Sequence, residues 1–227
     1  GGTGLIRISG SANRTWTGTP GTTGTVPHVE INTSGTLTLS GTIRTDEDWT
    51  YTAGTVDSSG ATVVFWGAGT TPTITGAHSL TNVTFYSETS SGRSYTIAST
   101  LTVTGTFTLD GLASTTFVNI NTGTIDAQGA VVTDDASHGG TGTLLLGGSA
   151  NRTWTGSATL TGGTLPNVVI NTSGTLTLSG TIRIDEDWTY TAGTIDGAGT
   201  VVFVAFGSSV LITGSHTLPN VTFSNTS

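Results

Sequence analysis

Apolar and polar residues alternate over short stretches along the whole chain. In Thr36–Ile43 and again in Thr100–Leu109, Leu, Val, Ile or Phe side chains are separated by Thr or Ser. A period of two places the apolar side chains on one face of a strand and the polar ones on the other. Gly, Ser and Asn interrupt the pattern roughly every 8–12 residues, which is typical of folds built from many short strands. The pattern therefore predicts an all-β protein.

Long stretches of this pattern recur along the chain. Asn32–Arg44 is identical to Asn171–Arg183, and Asp46–Thr55 is identical to Asp185–Thr194. The tetrad Gly-Thr-(Val/Ile)-Asp marks a smaller unit, at Gly54–Asp57, Gly123–Asp126 and Gly193–Asp196. Repetition at a fixed offset indicates a repeat architecture. We expect one continuous repeat solenoid over residues 1–227, with copies at about 1–59, 60–138 and 139–198 and a partial copy at 199–227.

Two architectures fit strands of this length and spacing. One is a right-handed parallel β-solenoid, and the alternative is an array of antiparallel β-sandwiches. The breaks are mostly single Gly or Ser-Gly corners, as in Leu39–Thr42, and parallel crossovers favour the right-handed path. A coil of about 22 residues predicts about ten coils and a rod about 50 Å long. Asn32, Asn121 and Asn171, in similar contexts, are candidates for a stacked Asn ladder.

The composition narrows the function classes. The chain has a net charge of −8, contains no Cys, and has only 9% charged residues. Acidic character disfavours nucleic acid, which is bound largely through cationic contacts to phosphate. No apolar run is long enough for a membrane span, which needs about 18–20 residues. We expect an extracellular or cell-surface protein that has no cofactor, does not insert into membranes and does not bind nucleic acid.

The repeated motifs resemble a known class of sequence. The order NVTF, TLT(L/V)xGT, DWTYTAGT(I/V)D, TVVF and ITGxHxLxN resembles the Thr/Gly-rich repeats of very large bacterial surface and secreted proteins, of the filamentous-haemagglutinin-type adhesin shaft. The resemblance implies a right-handed parallel β-helix in a surface structure, and it implies no activity. No secretion domain of the haemagglutinin type is recognisable in the sequence.

The acidic triplets and the His residues are the first candidates for chemistry. Asp46, Glu47 and Asp48 recur as Asp185, Glu186 and Asp187, and three carboxylates beside a corner are candidate Ca²⁺ ligands. The alternative is a solvated corner that precedes an inward Trp. His78 and His216 occupy the same repeat position, and we interpret them as turn residues.

The Trp and Asn residues are candidates for interaction with glycans. Trp16 and Trp154 are equivalent and are candidates for sugar stacking, although a Trp that alternates with Thr equally fits a core. Candidate N-glycosylation sites in N-x-(S/T) are Asn13, Asn32, Asn82, Asn151, Asn171, Asn220 and Asn225.

Three functions follow from these patterns. The first is a structural segment of an extracellular fibre without catalysis, either a self-assembling filament subunit or an adhesin stalk. Its partners are copies of itself end to end or further repeats of the same chain, with glycans as additional candidates. The expectation rests on a solenoid that shows no capping sequence. The alternative is a polysaccharide- or ice-binding solenoid module. A polysaccharide-degrading enzyme ranks lowest, because it requires non-repeated charged residues in a groove.

Overall fold

The structure, a computed structural model, describes residues 3–19, 24–67, 71–88, 92–112, 116–159, 164–205 and 209–225. These ranges contain strands and no helix, and accordingly no helix long and apolar enough to cross a lipid bilayer. The strands are β1 Leu5–Gly10, β2 Arg14–Thr17, β3 His28–Thr45, β4 Trp49–Gly67, β5 Thr73–Thr75, β6 His78–Leu80, β7 Asn82–Ser87, β8 Arg93–Val103, β9 Phe107–Gly111, β10 Phe117–Ala127, β11 Val131–Thr133, β12 Ser137–Gly139, β13 Thr143–Leu146, β14 Arg152–Ser157, β15 Asn167–Ile184, β16 Trp188–Gly197, β17 Thr200–Ala205, β18 Ile212–Thr213 and β19 Asn220–Asn225.

Every pairing between these strands is parallel. The shortest separation between paired residues is 19 positions, as in Thr36 with Thr55, and the longest is 26 positions, as in Thr96 with Thr122. The parallel β-solenoid and its coil length are thereby confirmed, and the antiparallel sandwich is wrong. The rod has about nine coils and is about 43 Å long at a coil spacing of about 4.8 Å.

Corners divide each coil into three sides, as the second coil shows. Side 1 contains Val29–Ile31, side 2 contains Leu37–Leu39 and side 3 contains Ile43–Thr45. The register with the next coil shifts where side 1 passes into side 2, between Asn32 and Thr36. A single long strand such as β3 therefore follows one complete coil.

Inward side chains stack from coil to coil and form the core. Side 1 begins with Ile6, Val29, Trp49, Ile74 and Ile97; side 2 includes Leu101, Ile125, Leu144, Val168, Trp188 and Ile212; side 3 includes Ile43, Val63, Val83, Phe107, Val131, Trp154 and Leu178. Away from the two ends of the rod these residues are fully buried. Each buried side chain of this size contributes about 1.5–3 kcal/mol relative to an exposed one. The core therefore runs as one column along the rod.

The two copies of the repeat lie on different sides of the rod. Val29 and Trp49 belong to side 1, whereas their equivalents Val168 and Trp188 belong to side 2, where Val168 stacks on Leu144. Equivalent residues of the two copies are 139 positions apart, and this offset therefore corresponds to a whole number of coils plus one side. They amount to about six and a third coils, or about 30 Å of the axis.

Glycine is required at the corner between sides in both copies. Gly41 and Gly180 have φ angles of +71° and +72°, a region that residues with a Cβ rarely adopt. A Cβ at either position would also collide with the carbonyl oxygen of Gly18 or Gly156 on the preceding coil. The Ser-Gly corner of the repeat is thus fixed by the close approach of two backbones.

The predicted Asn ladder is wrong. Asn32 and Asn171 are exposed, lie on different sides of the rod and each pair with an Ala of the next coil, and Asn121 does not stack on either. The chain bends at this corner, so the next residue points inward instead. Thr33 and Thr172 are buried there, and their hydroxyls donate to carbonyls of the preceding coil at 2.7 and 2.9 Å.

Candidate functional site

The apolar core is open at the C-terminal end of the rod. Phe223 is 73% exposed, whereas its equivalent Phe85 is 0% exposed. Phe85 is covered by Tyr95 and Phe107 of the following coil, with ring centroids 4.8 and 6.0 Å away. A cavity of about 320 Å³ lies at this end, lined by Phe203, Val204, Ala205, Val210, Ile212, Phe223 and Ser224. The end therefore presents a surface that another coil covers elsewhere in the same chain.

The N-terminal end is open in the same way. Leu5 is 52% exposed, and a cavity of about 220 Å³ lies at this end, lined by Ile6, Ile8, Arg14, Thr15, Trp16 and Leu37. Trp16 is only partly buried, whereas its equivalent Trp154 is completely buried and pairs with Val131 of the preceding coil. The exposure of these two equivalent Trp residues therefore depends on whether a preceding coil covers them, since their local sequences are the same.

The backbone is also unpaired at both ends. Within the described part of the chain, β1 pairs only with the first part of β3, and β19 pairs only with β17. In the interior, β7, the equivalent of β19, pairs with β4 on one edge and with β9 on the other. A free edge of a sheet is a template for a further parallel strand.

The Trp residues proposed for sugar stacking serve the core. Trp154 has no exposed surface, which leaves no ring face for a sugar, and its centroid lies 6.3 Å from that of Trp188. Trp16 stacks at 6.4 Å on Trp49 in the same way, and a preceding coil would bury it as Val131 helps to bury Trp154. In the Thr-Trp-Thr segments the Trp side chain points into the core and the two Thr side chains point outward.

A pair of Trp–His hydrogen bonds was not foreseen from the sequence. The indole nitrogen of Trp49 donates to Nε2 of His78 at 3.0 Å, and Trp188 donates to His216 at the same distance. Nδ1 of His78 lies 2.7 Å from the carbonyl oxygen of Gly76, so this ring is neutral, with its proton on Nδ1. Burial accordingly lowers the pKa of His78. The two His residues therefore anchor Trp rings and are more than turn residues.

The acidic triplets bind the backbone. Oδ1 of Asp48 accepts from the Thr73 amide at 2.8 Å, and Oδ1 of Asp187 accepts from the Leu211 amide at 3.0 Å. Burial, followed by the neighbouring Glu186, raises the pKa of Asp185 to about 6. No group of three acidic or His side chains in the described ranges has the arrangement of a metal site.

Near Asp48, His28 connects two acidic side chains of one triplet. Its ring nitrogens lie 3.6 Å from Glu47 and 3.4 Å from Asp48. Both acidic triplets, Asp46 to Asp48 and Asp185 to Asp187, lie at corners of the solenoid. Their contacts fix those corners to neighbouring coils.

Two further side-chain clusters contain residues that the repeat does not duplicate within the described ranges. In one, Trp66 stacks on Tyr86 at 4.3 Å, and the Arg44 guanidinium lies 5.0 Å from the Trp66 ring centroid. The indole nitrogen of Trp66 donates to Glu88 at 3.1 Å. The Trp66 ring is thus already engaged by side chains of both neighbouring coils.

The second cluster contains the non-repeated charges that an enzyme would require. Asp134 accepts from the Gly111 amide at 2.6 Å and contacts the buried His138 at 2.8 Å. Burial and the hydrogen bond to Asp134 raise the pKa of Asp110 to about 6. Glycosidases separate their carboxyl groups by about 5 Å or more, whereas these two share a hydrogen bond. The cluster therefore joins three coils and does not have glycosidase geometry.

The candidate glycosylation sites differ in how their amides are used. Asn82 donates to the Ala61 carbonyl at 3.1 Å, and Asn220 donates to two carbonyls at 3.3 Å. Asn13 and Asn151 are exposed and accept from amides of the next coil at 2.9 and 2.8 Å. Asn32 and Asn171 are exposed, as described above, and the side chain of Asn225 lies outside the described residues. Asn32 and Asn171 are thus the sites most open to modification.

Comparison of the chain with protein-family models, curated proteins and solved structures gives no match. The geometry of the rod and of its ends is therefore the basis for assigning a function.

Proposed function

We propose that the chain is a structural segment of an extracellular surface fibre in which further coils cover both ends of the rod. The observation that carries the proposal is the contrast between Phe223 and Phe85, which occupy the same repeat position in an open and a covered coil. An apolar surface next to an unpaired sheet edge supports association with another coil. The extracellular location rests on the composition alone.

Two arrangements supply the missing coils. In a filament, the β19 edge of one molecule receives the β1 edge of the next, and the contact is head to tail and does not close. In an adhesin stalk, further repeats of the same polypeptide take this place. Both arrangements use the same apolar surfaces, Leu5 and Ile6 at one end and Ile212, Val221 and Phe223 at the other.

The filament is tested by light scattering and electron microscopy of the purified chain over a range of concentrations. Phe223→Asp places a charge on the open end, and Leu112→Asp is the control because Leu112 is 65% exposed away from the end surfaces. The proposal predicts rods that lengthen with concentration for the natural chain and the control, but not for Phe223→Asp. A monomer at every concentration overturns the filament.

The stalk is tested by lengthening the chain. A second copy of residues 88–138, joined after residue 225 so that the repeat continues in register, supplies equivalents of Tyr95 and Phe107 to cover Phe223. The melting temperature is expected to rise, because each added coil buries apolar surface of its neighbour. If the longer chain melts at the same temperature and Phe223 stays exposed, the end surface does not accept coils and the stalk is rejected.

A second candidate, ice binding, is favoured by the order of outward Thr residues on side 2. Thr residues of neighbouring coils pair there in two separate runs. The column contains Thr36 and Thr55, then Thr100, Thr124 and Thr143. Asp57 and Asp126 interrupt the adjacent column. Thermal hysteresis that is lost in Thr124→Leu would support this function, and its absence from the natural chain would reject it.

A further inference from the structure

A surface pocket occurs at the corner that follows side 1 of the third coil. It has a volume of about 300 Å³ and is lined by Tyr51, Gly54, Thr55, Val56, His78 and Ser79. This volume lies at the lower end of the range for small-ligand pockets, about 300–1,000 Å³. One ring-sized group therefore fits.

The aromatic wall of the pocket is rigid. The Tyr51 and His78 rings stack with centroids 5.0 Å apart, and the Tyr51 hydroxyl donates to the Gly54 carbonyl at 2.6 Å. Both ring nitrogens of His78 are engaged, one by Trp49 and the other by Gly76. His78 is therefore neither a metal ligand nor an acid–base group, and the wall is preorganised for contact with a ligand.

The polar side of the pocket carries hydroxyl groups without formal charge. Thr55 and Ser79 are exposed at the rim, and a hydroxyl both donates and accepts hydrogen bonds. None of the described residues that line the pocket is an Arg, Asp or Glu. A neutral sugar ring, with apolar C–H groups and several hydroxyls, matches such a surface better than an anion or a cation.

The same arrangement occurs in the second copy of the repeat. Its residues are Tyr190, Gly193, Thr194, Ile195, His216 and Thr217. The Tyr190 hydroxyl donates to the Gly193 carbonyl at 2.5 Å, and the Tyr190 and His216 rings stack at 4.7 Å. His216 accepts from Trp188 as His78 does from Trp49.

We propose that this pocket and the equivalent site of the second copy, which has the same Tyr–His wall, each bind a sugar residue of a neutral polysaccharide and that one rod joins two polysaccharide strands. Because the repeat advances by one side, the pockets open toward different sides of the rod, about 30 Å apart along the axis. One extended strand parallel to the axis cannot enter both. A bivalent rod instead connects separate strands, and its avidity depends on both pockets.

The proposal is tested by calorimetric titration of the whole chain with oligosaccharides from dextran, mannan and a β-glucan. Thr55→Val with Ser79→Val removes the hydroxyls of the first pocket, and Thr194→Val with Thr217→Val removes those of the second. Thr38→Val, on side 2 outside the pocket, is the control. Circular dichroism verifies that each variant keeps the fold.

The natural chain and the control are expected to bind two oligosaccharides, each double variant one, and the quadruple variant none. Turbidity with the corresponding long polysaccharide is expected only where both pockets are intact. Absence of saturable binding to all three oligosaccharides overturns the proposal, as does binding that the variants leave unchanged. Growth of rods without polysaccharide, measured on the same samples, reports on the fibre role separately.

Discussion

The two equivalent Phe residues allow the contribution of a covering coil to be measured within one chain. Phe85 is fully buried and stacks on Phe65 at 4.9 Å, with Tyr95 and Phe107 on its other side. Replacement of a buried Phe by Ala costs about 3–5 kcal/mol, because apolar contact is lost and a cavity remains. The same replacement at the exposed Phe223 removes few contacts, so we expect a change within about 0.5 kcal/mol.

These free energies convert into an observable difference in melting temperature. For a chain of this size, 1 kcal/mol corresponds to about 2–4 °C, so Phe85→Ala is expected to lower the melting temperature by about 6–20 °C. Phe223→Ala should lower it by about 2 °C or less by the same conversion. Circular dichroism at low protein concentration keeps the rods separate during the measurement.

The same pair of variants is then compared at high concentration. If rods associate end to end, Phe223 becomes covered, and Phe223→Ala should become costly while the effect of Phe85→Ala stays constant. Equal losses for both variants at low concentration would refute the reasoning, because they would mean that exposure in the repeat does not control the contribution of a side chain.

Three further predictions concern the corners and the buried polar groups. Gly180→Ala should destabilise the rod by at least about 1 kcal/mol in denaturant unfolding because of its positive φ and the backbone contact, whereas Gly60→Ala, which has room for a Cβ, should have little effect. Trp49→Phe leaves Nε2 of His78 without its donor and should cost at least about 1–3 kcal/mol, seen as a lower melting temperature; an unchanged value would contradict the role of this hydrogen bond. Because the folded-state pKa of Asp185 is raised to about 6, its contribution is complete below pH 4 and is lost as the pH rises through 6. Relative to Asp185→Asn, the natural chain should therefore lose about 1–2 kcal/mol between pH 4.5 and 7.5, after allowance for solvent screening, and parallel pH profiles for the two proteins would contradict this.

The solenoid and its coil length follow from local features of the sequence. Alternation of Leu with Thr and the Gly corners set the length of each side, and the sum of three sides gives a coil of about 22 residues. Similar residues then meet between coils, as Val63 and Val83 do. The side of the rod on which a residue lies depends on the sum of all preceding coil lengths, which range from 19 to 26 residues. Identical segments around Trp49 and Trp188 consequently occupy different sides, which inspection of one repeat does not reveal.

The candidate site was less accessible to sequence reasoning because its contacts join residues of different coils. The bond between Trp49 and His78 spans 29 positions, and only the register of the coils brings the two together. The recurrence of both residues in Trp188 and His216 was the available signal. Exposure at the ends, as for Trp16, depends on which coils are present and not on the local pattern.

The direction of the chain relative to the axis has a mechanical consequence. The strands run across the rod, and the hydrogen bonds between coils run along it. An axial load therefore separates coils one after another, since each contacts only its neighbours. A folded coil occupies about 4.8 Å of the axis, whereas its roughly 22 residues span about 75 Å when extended. Each coil that unfolds therefore becomes more than ten times longer along the axis. A fibre made of such coils would extend under a sudden load by unfolding one coil at a time.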